Sequence, residues 1–537
     1  MISVSNRWKE LNEQTLLPEM FVELTYHITE PGLQSDAVVS ASSPTSYSNV
    51  AQIVDGSEKN SEVYCTLEYG AWGLDGKSKF FDGSPVDPGY VYKYYSVSSG
   101  TFATSPTITI DFPERRKVYV PGMVIVWDGA FGGWAIDFEV IASNADGEVA
   151  RKTVKNNTST VTHVDIDLIN YSKITIQISK WSHPYQHAKC SDILFGTKIV
   201  YTKDDLLSFS HEQNVDLLSA SLPENMIKFG LRNDDYRWNP DSPATLERYL
   251  AERQEVSVRY GMDVDGTVEW IKGGTFWLSE WNTPSNGMEA DFTARNAVEF
   301  MGAIYKGVRK GTLYDIAVAA FEEANIPKTS KGSNRYFVDQ SLRNFSTDFS
   351  NDTTQFRISE ILQMVAHAGN CVFYQNRDGE IKIEPWSQTH GGYIITPDIS
   401  YSHPEYTFNK SLKRVSVNYG SDSGSVDLDY SSTGEIQTVS NPLISAKDDA
   451  TRVGQRALEV LQNRKVISGD FRADLRMDAL DCVIVTSKYA SNIIGITNVS
   501  YKTSGGAFRG QYTGRVVSAK LNPVNVYSGE FYANEIW

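Results

Sequence analysis

The sequence predicts a mainly β protein with an α+β insert: a jelly-roll-like β-sandwich followed by two barrel-like β modules that flank a small helical unit. Three observations predict it. The chain is 12% aromatic, with 29 Tyr, 23 Phe and 11 Trp beside 39 Gly and 19 Pro, a composition suited to strands separated by frequent turns. Short runs of alternating polar and apolar residues recur about every dozen positions from 107 to 178, as in a sandwich. Helical spacing, by contrast, is restricted to a few isolated segments.

Residues 3 to 16 have helical character and lead into a strand over Phe21–Tyr26, which together make an N-terminal arm, 1–30. A polar, turn-rich stretch and an aromatic segment, 69–100, follow. Thr107–Phe112, Val124–Trp127, Phe138–Ala142, Val164–Leu168 and Ile174–Ile178 then alternate as strands, with Asp-Gly and Asn-Asn turns between them. No helix-period segment interrupts 100 to 203, so 31–203 is expected to be one all-β sandwich.

A second texture begins near Asp204. Strands at 222–234, 255–260, around Trp270, 276–278 and 290–294, with a short helix over 243–254, predict a small antiparallel barrel spanning 204–310. Leu313, Ile316, Ala317, Ala320 and Ala324 share one helical face, as do Ile358, Ile361, Leu362 and Val365. The hairpin 371–374/380–383 turns at Asn376-Arg377-Asp378-Gly379. These make an α+β unit, 311–385. The remainder, 386–537, is again β-rich, with one helix carrying Val453, Ala457, Val460 and Leu461. It is expected to be a second barrel.

Fifty basic against 66 acidic side chains give a formal charge of −16. A sequence-independent grip on DNA needs a basic surface, so nucleic-acid binding is not the expected task. There is no apolar run long enough to span a membrane, and the first residues lack the basic start and apolar core of a signal peptide. Cys65, Cys190, Cys371 and Cys482 are far apart and form no C-x-x-C pair. Free thiols are expected, not a disulfide framework or a zinc knuckle.

Chemical motifs are scarce. No P-loop, nucleophile elbow or zinc-protease helix occurs. His183, His187 and Cys190 fall within eight residues, but Pro184 breaks any helix that would align the histidines, so a hydrogen-bonded loop is favoured over a metal site. Asp165/Asp167 and Asp427/Asp429 alternate on strands. Such pairs suit a glycosidase or calcium, but an exposed strand face explains them more simply. No catalytic residue, cofactor or metal is expected. The aromatic loops are more informative, because indole and phenol rings stack on the C–H faces of sugars. Trp72, Phe131, Trp134, Trp181 and Tyr185 are the candidate glycan contacts.

The stretches 105–128, KITIQISKW (173–181) and DILFGTKIVY (192–201) resemble the discoidin-like, galactose-binding-like sandwich. The order continues with WGLDG (72–76), GYVYKYYS (89–96), VDLLSASLPENMIKFGLRNDDYRWNP (215–240), GGTFWLSEW (273–281), ADFTARNAVEFM (290–301), GTLYDIAVAAFEEANIP (311–327) and ISEILQMVAHAGNCVFYQNRDGEIKIEP (358–385). This succession resembles the tail hub, or baseplate hub, proteins of phages and prophages of Gram-positive bacteria, over about 30 to 537. The resemblance implies a non-enzymatic virion protein at the tail tip, made in the host cytoplasm. It implies a homotrimer whose two barrels per chain mate with a hexameric distal tail or tube ring, beside the tape measure protein and other baseplate or receptor-binding proteins. DNA would only pass through, and an acidic wall would not trap it. The sandwich would contact host cell-wall glycan or dock another tail protein. Many such hubs continue into wall-digesting regions; this sequence stops at Trp537, so wall digestion is not expected. The alternatives are a stand-alone carbohydrate-binding adhesin or accessory module and, behind it, a glycoside hydrolase.

Overall fold

The computed structural model describes residues 1–14, 18–28, 33–54, 65–71, 78, 80, 89–117, 120–128, 132–239, 250, 252–283, 287–327, 333–387, 389–420, 424–504, 507–517 and 520–521. Most of the helix expected over 243–254 lies outside them. The architecture is mainly β, with several separate sheets.

In the sandwich, alternation in the sequence becomes alternation in burial. Strand Val161–Leu168 exposes and buries successive residues along its whole length, since neighbouring side chains point to opposite faces of a strand. One sheet runs in the order Val38–Ala41, Thr107–Arg116, Tyr171–Trp181, Ala135–Asn144, Gly147–Val154. The other runs Asp192–Phe195, Val120–Val126, Val161–Leu168. Ile108, Ile110, Ile125, Trp127, Phe138, Val164, Ile174 and Ile176 close a single core from both sheets. Trp127 donates its indole N–H to Thr162 Oγ1 at 2.9 Å, so the polar tip of this core indole is satisfied.

The sandwich is an insertion within a sheet. Strand Met20–Ile28 pairs with Thr197–Tyr201, from Leu24↔Tyr201 to Ile28↔Thr197. Its other edge pairs with Glu255–Val264. The expected division into an arm, 1–30, and a sandwich ending at 203 therefore needs correction. The chain leaves the first barrel module on one strand and returns on its neighbour at the edge of that module.

The two barrel modules are also joined. Leu206–Asn214 continues the first module through Glu224–Arg232, Glu289–Arg295, Thr267–Asn282 and Glu255–Val264. On its free side it pairs antiparallel with Ser491–Ser504 of the second, from Ser210↔Lys502 to Asn214↔Asn498. One 14-stranded sheet results. Phe209, Ile227, Tyr260 and Phe276 from the first module share a core with Phe471, Tyr501, Phe508 and Tyr512 from the second.

The helical unit is a composite. Leu313–Ala324 starts on a capping box, in which Thr312 accepts from the Asp315 amide and Asp315 reaches back to the Thr312 amide. Ile358–Ala368 packs on it. Strands Leu412–Tyr419, Gly424–Asp429 and Glu435–Val439 and helix Lys447–Leu461 were expected in the second barrel, but they bury Val415, Val417, Val453 and Ala457 in the helical core. Gly454 explains the close fit, since a Cβ there would lie 2.6 Å from Leu428 and 3.1 Å from Val417. The boundary at 385/386 is corrected accordingly. No helix among the described residues is long and apolar enough to cross a membrane.

The sandwich core and the joint barrel core have no residue in common. Trp127→Ala should therefore lower the stability of the sandwich by about 3–5 kcal/mol and leave the barrel transition in place. Chemical denaturation followed by domain-specific proteolysis checks this; a shift of both transitions together would contradict it.

Candidate functional site

Loops at one end of the sandwich are hydrogen-bonded into a single surface. Ser96 donates from its hydroxyl to the His183 carbonyl at 2.8 Å and from its amide to the Gln186 carbonyl. Gln186 Nε2 reaches the Tyr69 carbonyl. The Trp134 amide donates to Ser182 Oγ at 2.9 Å, and the Ser182 amide to the Trp134 carbonyl. Segments 65–71, 96–101, 132–134 and 181–187 thus hold one another in place.

Of the five aromatic candidates, Trp72 and Phe131 lie outside the described residues. Trp181 is only 1% exposed and belongs to the core, which corrects its assignment as a glycan contact. The cause is a bulge. Asp137 pairs with Lys180 and Phe138 with Ile178, so the strand Tyr171–Trp181 carries an extra residue at Ser179, which turns Trp181 inward. There it meets Trp127 edge to face at 6.2 Å, under Gly133, where a Cβ would fall 2.8 Å from its ring. Trp134 is half-buried, with its indole N–H given to the Asn157 carbonyl at 2.8 Å and its ring 5.7 Å from that of His183. Tyr185 is 52% exposed and projects from a left-handed backbone position, φ +59°. It remains open to a ligand, beside the exposed Tyr69, Tyr94 and Tyr95.

The histidines are engaged separately. His183 Nδ1 contacts Ser182 Oγ at 2.8 Å, and His187 stacks on Tyr95 at 4.3 Å. Burial pulls the His187 pKa below the ordinary value. Cys190 Sγ faces the Asp192 carbonyl. Among the described residues no three His, Cys, Asp or Glu side chains gather as a metal-holding group. Asp165 and Asp167 lie on the exposed face of their strand. Asp427 and Asp429 are both bound by Arg414, at 2.7 and 2.6 Å.

Beneath this surface is a buried charge cluster that the sequence reading did not single out. Lys189 Nζ lies 3.0 Å from Glu68 Oε1 and 3.0 Å from Asp128 Oδ2. Side-chain exposure is 7% for Lys189, 0% for Glu68 and 3% for Asp128. Glu68 is held by the His187 amide at 2.9 Å and by Thr66 Oγ1 at 2.8 Å. Burial works against the Glu68 carboxylate, but Lys189 and these donors outweigh it and hold its pKa below the usual range. The one sequence sign is a lysine between Ala188 and Cys190, in a strand whose four residues are all buried.

A second polar cluster sits where the barrel modules and the helical unit meet. Arg377, at the tip of the Val372–Gln375/Ile381–Glu384 hairpin, places Nε 2.9 Å from both oxygens of Asp478. Its terminal nitrogens donate to the carbonyls of Lys272 and Leu475, each at 2.7 Å. Burial alone would drive the Arg377 pKa down and that of Asp478 up, and their pairing reverses both. Gln213 Nε2 donates to Asp478 Oδ1 at 2.8 Å. Nearby, His211 bridges the Tyr260 hydroxyl at 2.7 Å and Asn225 Oδ1 at 2.8 Å. Burial pushes its pKa down to about 4. An arginine at a turn apex reads as solvated in sequence, and nothing local signals otherwise.

No protein-family model matches the sequence, nor does any curated relative. Among solved structures, the chain is similar to the 43 kDa tail protein of prophage MuSo2 from Shewanella oneidensis, at 12% identity over 59% of this chain and 94% of the other, with a TM-score of 0.39. It is similar to the tail protein from Neisseria meningitidis at 8% identity over 60% of this chain and 94% of that one, TM-score 0.42. A smaller part, 33% of the chain, is similar to 99% of the family 32 carbohydrate-binding module of NanJ from C. perfringens, solved with galactose, at 17% identity and a TM-score of 0.21.

Arg377→Leu strands Asp478 in the interior and should cost about 3–5 kcal/mol. Adding Asp478→Leu should restore most of that, as measured by urea unfolding of the single and double variants. His211 gives a pH signature. Its folded pKa lies below the unfolded value near 6.5, so its neutral form supports the fold above that pH and the support is lost as pH falls toward about 4. Urea midpoints between pH 7 and 4 should fall more steeply for the native chain than for His211→Gln.

Proposed function

We propose that this chain forms the hub at the distal end of a phage tail or phage-tail-like particle, as a non-enzymatic homotrimer that closes the tail tube and organises the tip. The observation that carries the reading is the edge-to-edge joint between Ser210–Asn214 and Asn498–Lys502, which sets two barrel-like modules side by side in one polypeptide. Three such chains supply six modules, and a threefold assembly of paired modules can seat on a sixfold ring without six chains. The order of segments along the sequence supports the same reading.

The partners that follow are a hexameric distal tail or tube ring, the tape measure protein and other baseplate or receptor-binding proteins. DNA passes through, and the charge of −16 disfavours its retention on the wall. The sandwich is carried at the edge of the first module by two adjacent strands, and its exposed Tyr185, beside Trp134 and His183, offers a ring for stacking on host cell-wall glycan. Its loop end is the proposed contact surface.

Light scattering on the purified full-length chain should give a trimer, and mixing with the hexameric ring protein of the same particle should give a complex of three to six. A chain that stays monomeric at every concentration and ignores the ring would overturn the hub reading. Tyr185→Ala should weaken retention on host wall polysaccharide by roughly threefold to tenfold without altering the oligomer. Equal retention by both chains would remove the glycan contact.

A further inference from the structure

We propose that the sandwich closes an intramolecular amide bond between Lys189 Nζ and Asp128 Cγ, with Glu68 carrying the proton. The inference does not depend on the hub reading. Glu68 and Asp128 each lie 3.0 Å from Lys189 Nζ, and all three side chains are almost wholly withdrawn from water. A lysine and two carboxylates in such a place are expensive as ions, because desolvation opposes every charge. Condensation of one pair into a neutral amide removes two of the three charges and releases the water to the outside. The strands are already positioned for it. The Ser191 amide and hydroxyl bind the carbonyls of Val126 and Trp127, which fixes the end of His187–Cys190 against the turn that carries Asp128.

The geometry also separates the roles of the two carboxylates. Both Glu68 oxygens accept hydrogen bonds, Oε1 from the His187 amide and Oε2 from Thr66. These donors stabilise the carboxylate anion and make its carbon the poorer electrophile. Glu68 takes a proton from the Lys189 ammonium and passes it to Asp128, leaving a neutral amine facing a neutral carboxylic acid. The amine lone pair adds to Asp128 Cγ and forms the new C–N bond. A second amine proton travels through Glu68 to the departing hydroxyl, the C–O bond breaks, and one water leaves. Glu68 ends as the carboxylate it began as, and no oxidant, metal or co-reactant is consumed. Burial makes the proton transfers local and keeps bulk water from hydrolysing the intermediate.

Such a bond would tie the turn after Val120–Val126 to strand His187–Cys190 and close the chain between 128 and 189 into a covalent ring. A closed loop restricts the unfolded state, as a disulfide does, but it is indifferent to reductant. That property suits a module whose cysteines are free.

Tryptic mapping of the full-length chain under denaturing, reducing conditions tests it. The expected result is a branched peptide joining the segment of Asp128 to that of Lys189, one water lighter than the two segments together, with no cleavage after Lys189. Lys189→Arg and Asp128→Ala should yield only linear peptides. Glu68→Gln should lose the branched species at least a hundredfold in yield while its circular dichroism stays native. Quantitative cleavage after Lys189 in the native sequence would overturn the proposal. So would a water loss confined to a succinimide at Asp128-Gly129, with the segments unlinked, and so would a branch to the Glu68 peptide in place of Asp128.

Discussion

Arg377 is the group on which the relative placement of the modules depends. It sits on a hairpin of the helical unit, yet its guanidinium is spent on a carboxylate and a carbonyl of the second barrel module and on a carbonyl of the first. A buried ion pair of this kind contributes little net stability against an apolar alternative, because desolvation cancels most of the attraction. What it does supply is direction. A planar donor with fixed geometry accepts only one arrangement of Lys272, Leu475 and Asp478, whereas apolar packing alone would tolerate several. Gln213 extends the constraint to the strand that forms the intermodule ladder, so ladder and ion pair specify the same joint from two sides.

The sandwich obeys a different rule. Its entry and exit strands are paired in register down to Ile28↔Thr197. An insertion whose ends emerge side by side leaves the host sheet intact whatever its size, because the ladder closes across its base. The separate sandwich core among the described residues follows from this arrangement, and the exposed aromatic loops and the Lys189 cluster belong to that body.

Local periodicity made much of this legible. The alternating runs from 107 to 178 became the sandwich strands, and the faces built on Ile316, Ile361 and Val453 became buried helix faces, since each such pattern needs only neighbours a few residues away. What failed was set by distant residues. Trp181 reads as a loop aromatic because it lies beyond the run Ile174–Ile178, and it is the extra residue at Ser179, set by the pairing with Asp137 and Phe138, that turns it into the core. Pairing of 210–214 with 498–502 joins segments almost three hundred positions apart, beyond any window that periodicity samples. The same is true of Lys189 with Glu68 and Asp128. Each reads as a solvated charge until the segment of Glu68, the turn at Asp128 and the strand His187–Cys190 come together.

Those long-range contacts divide the chain into a part that must move as one and a part that need not. The shared barrel core and the Arg377 cluster make any disturbance in one module felt by the other, as contacting residues couple energetically. The proposed tube closure draws on that stiffness, since a ring of paired modules keeps its symmetry only if every pair has the same angle. The proposed contact surface of the sandwich calls for the opposite: a body that can change its loops without passing strain to the paired modules. The paired strands from Leu24↔Tyr201 to Ile28↔Thr197 meet that need, because they transmit position through a backbone ladder. On this view the insertion point is itself a functional feature. An appendage fused by a single strand would swing, and one sharing the barrel core would deform it.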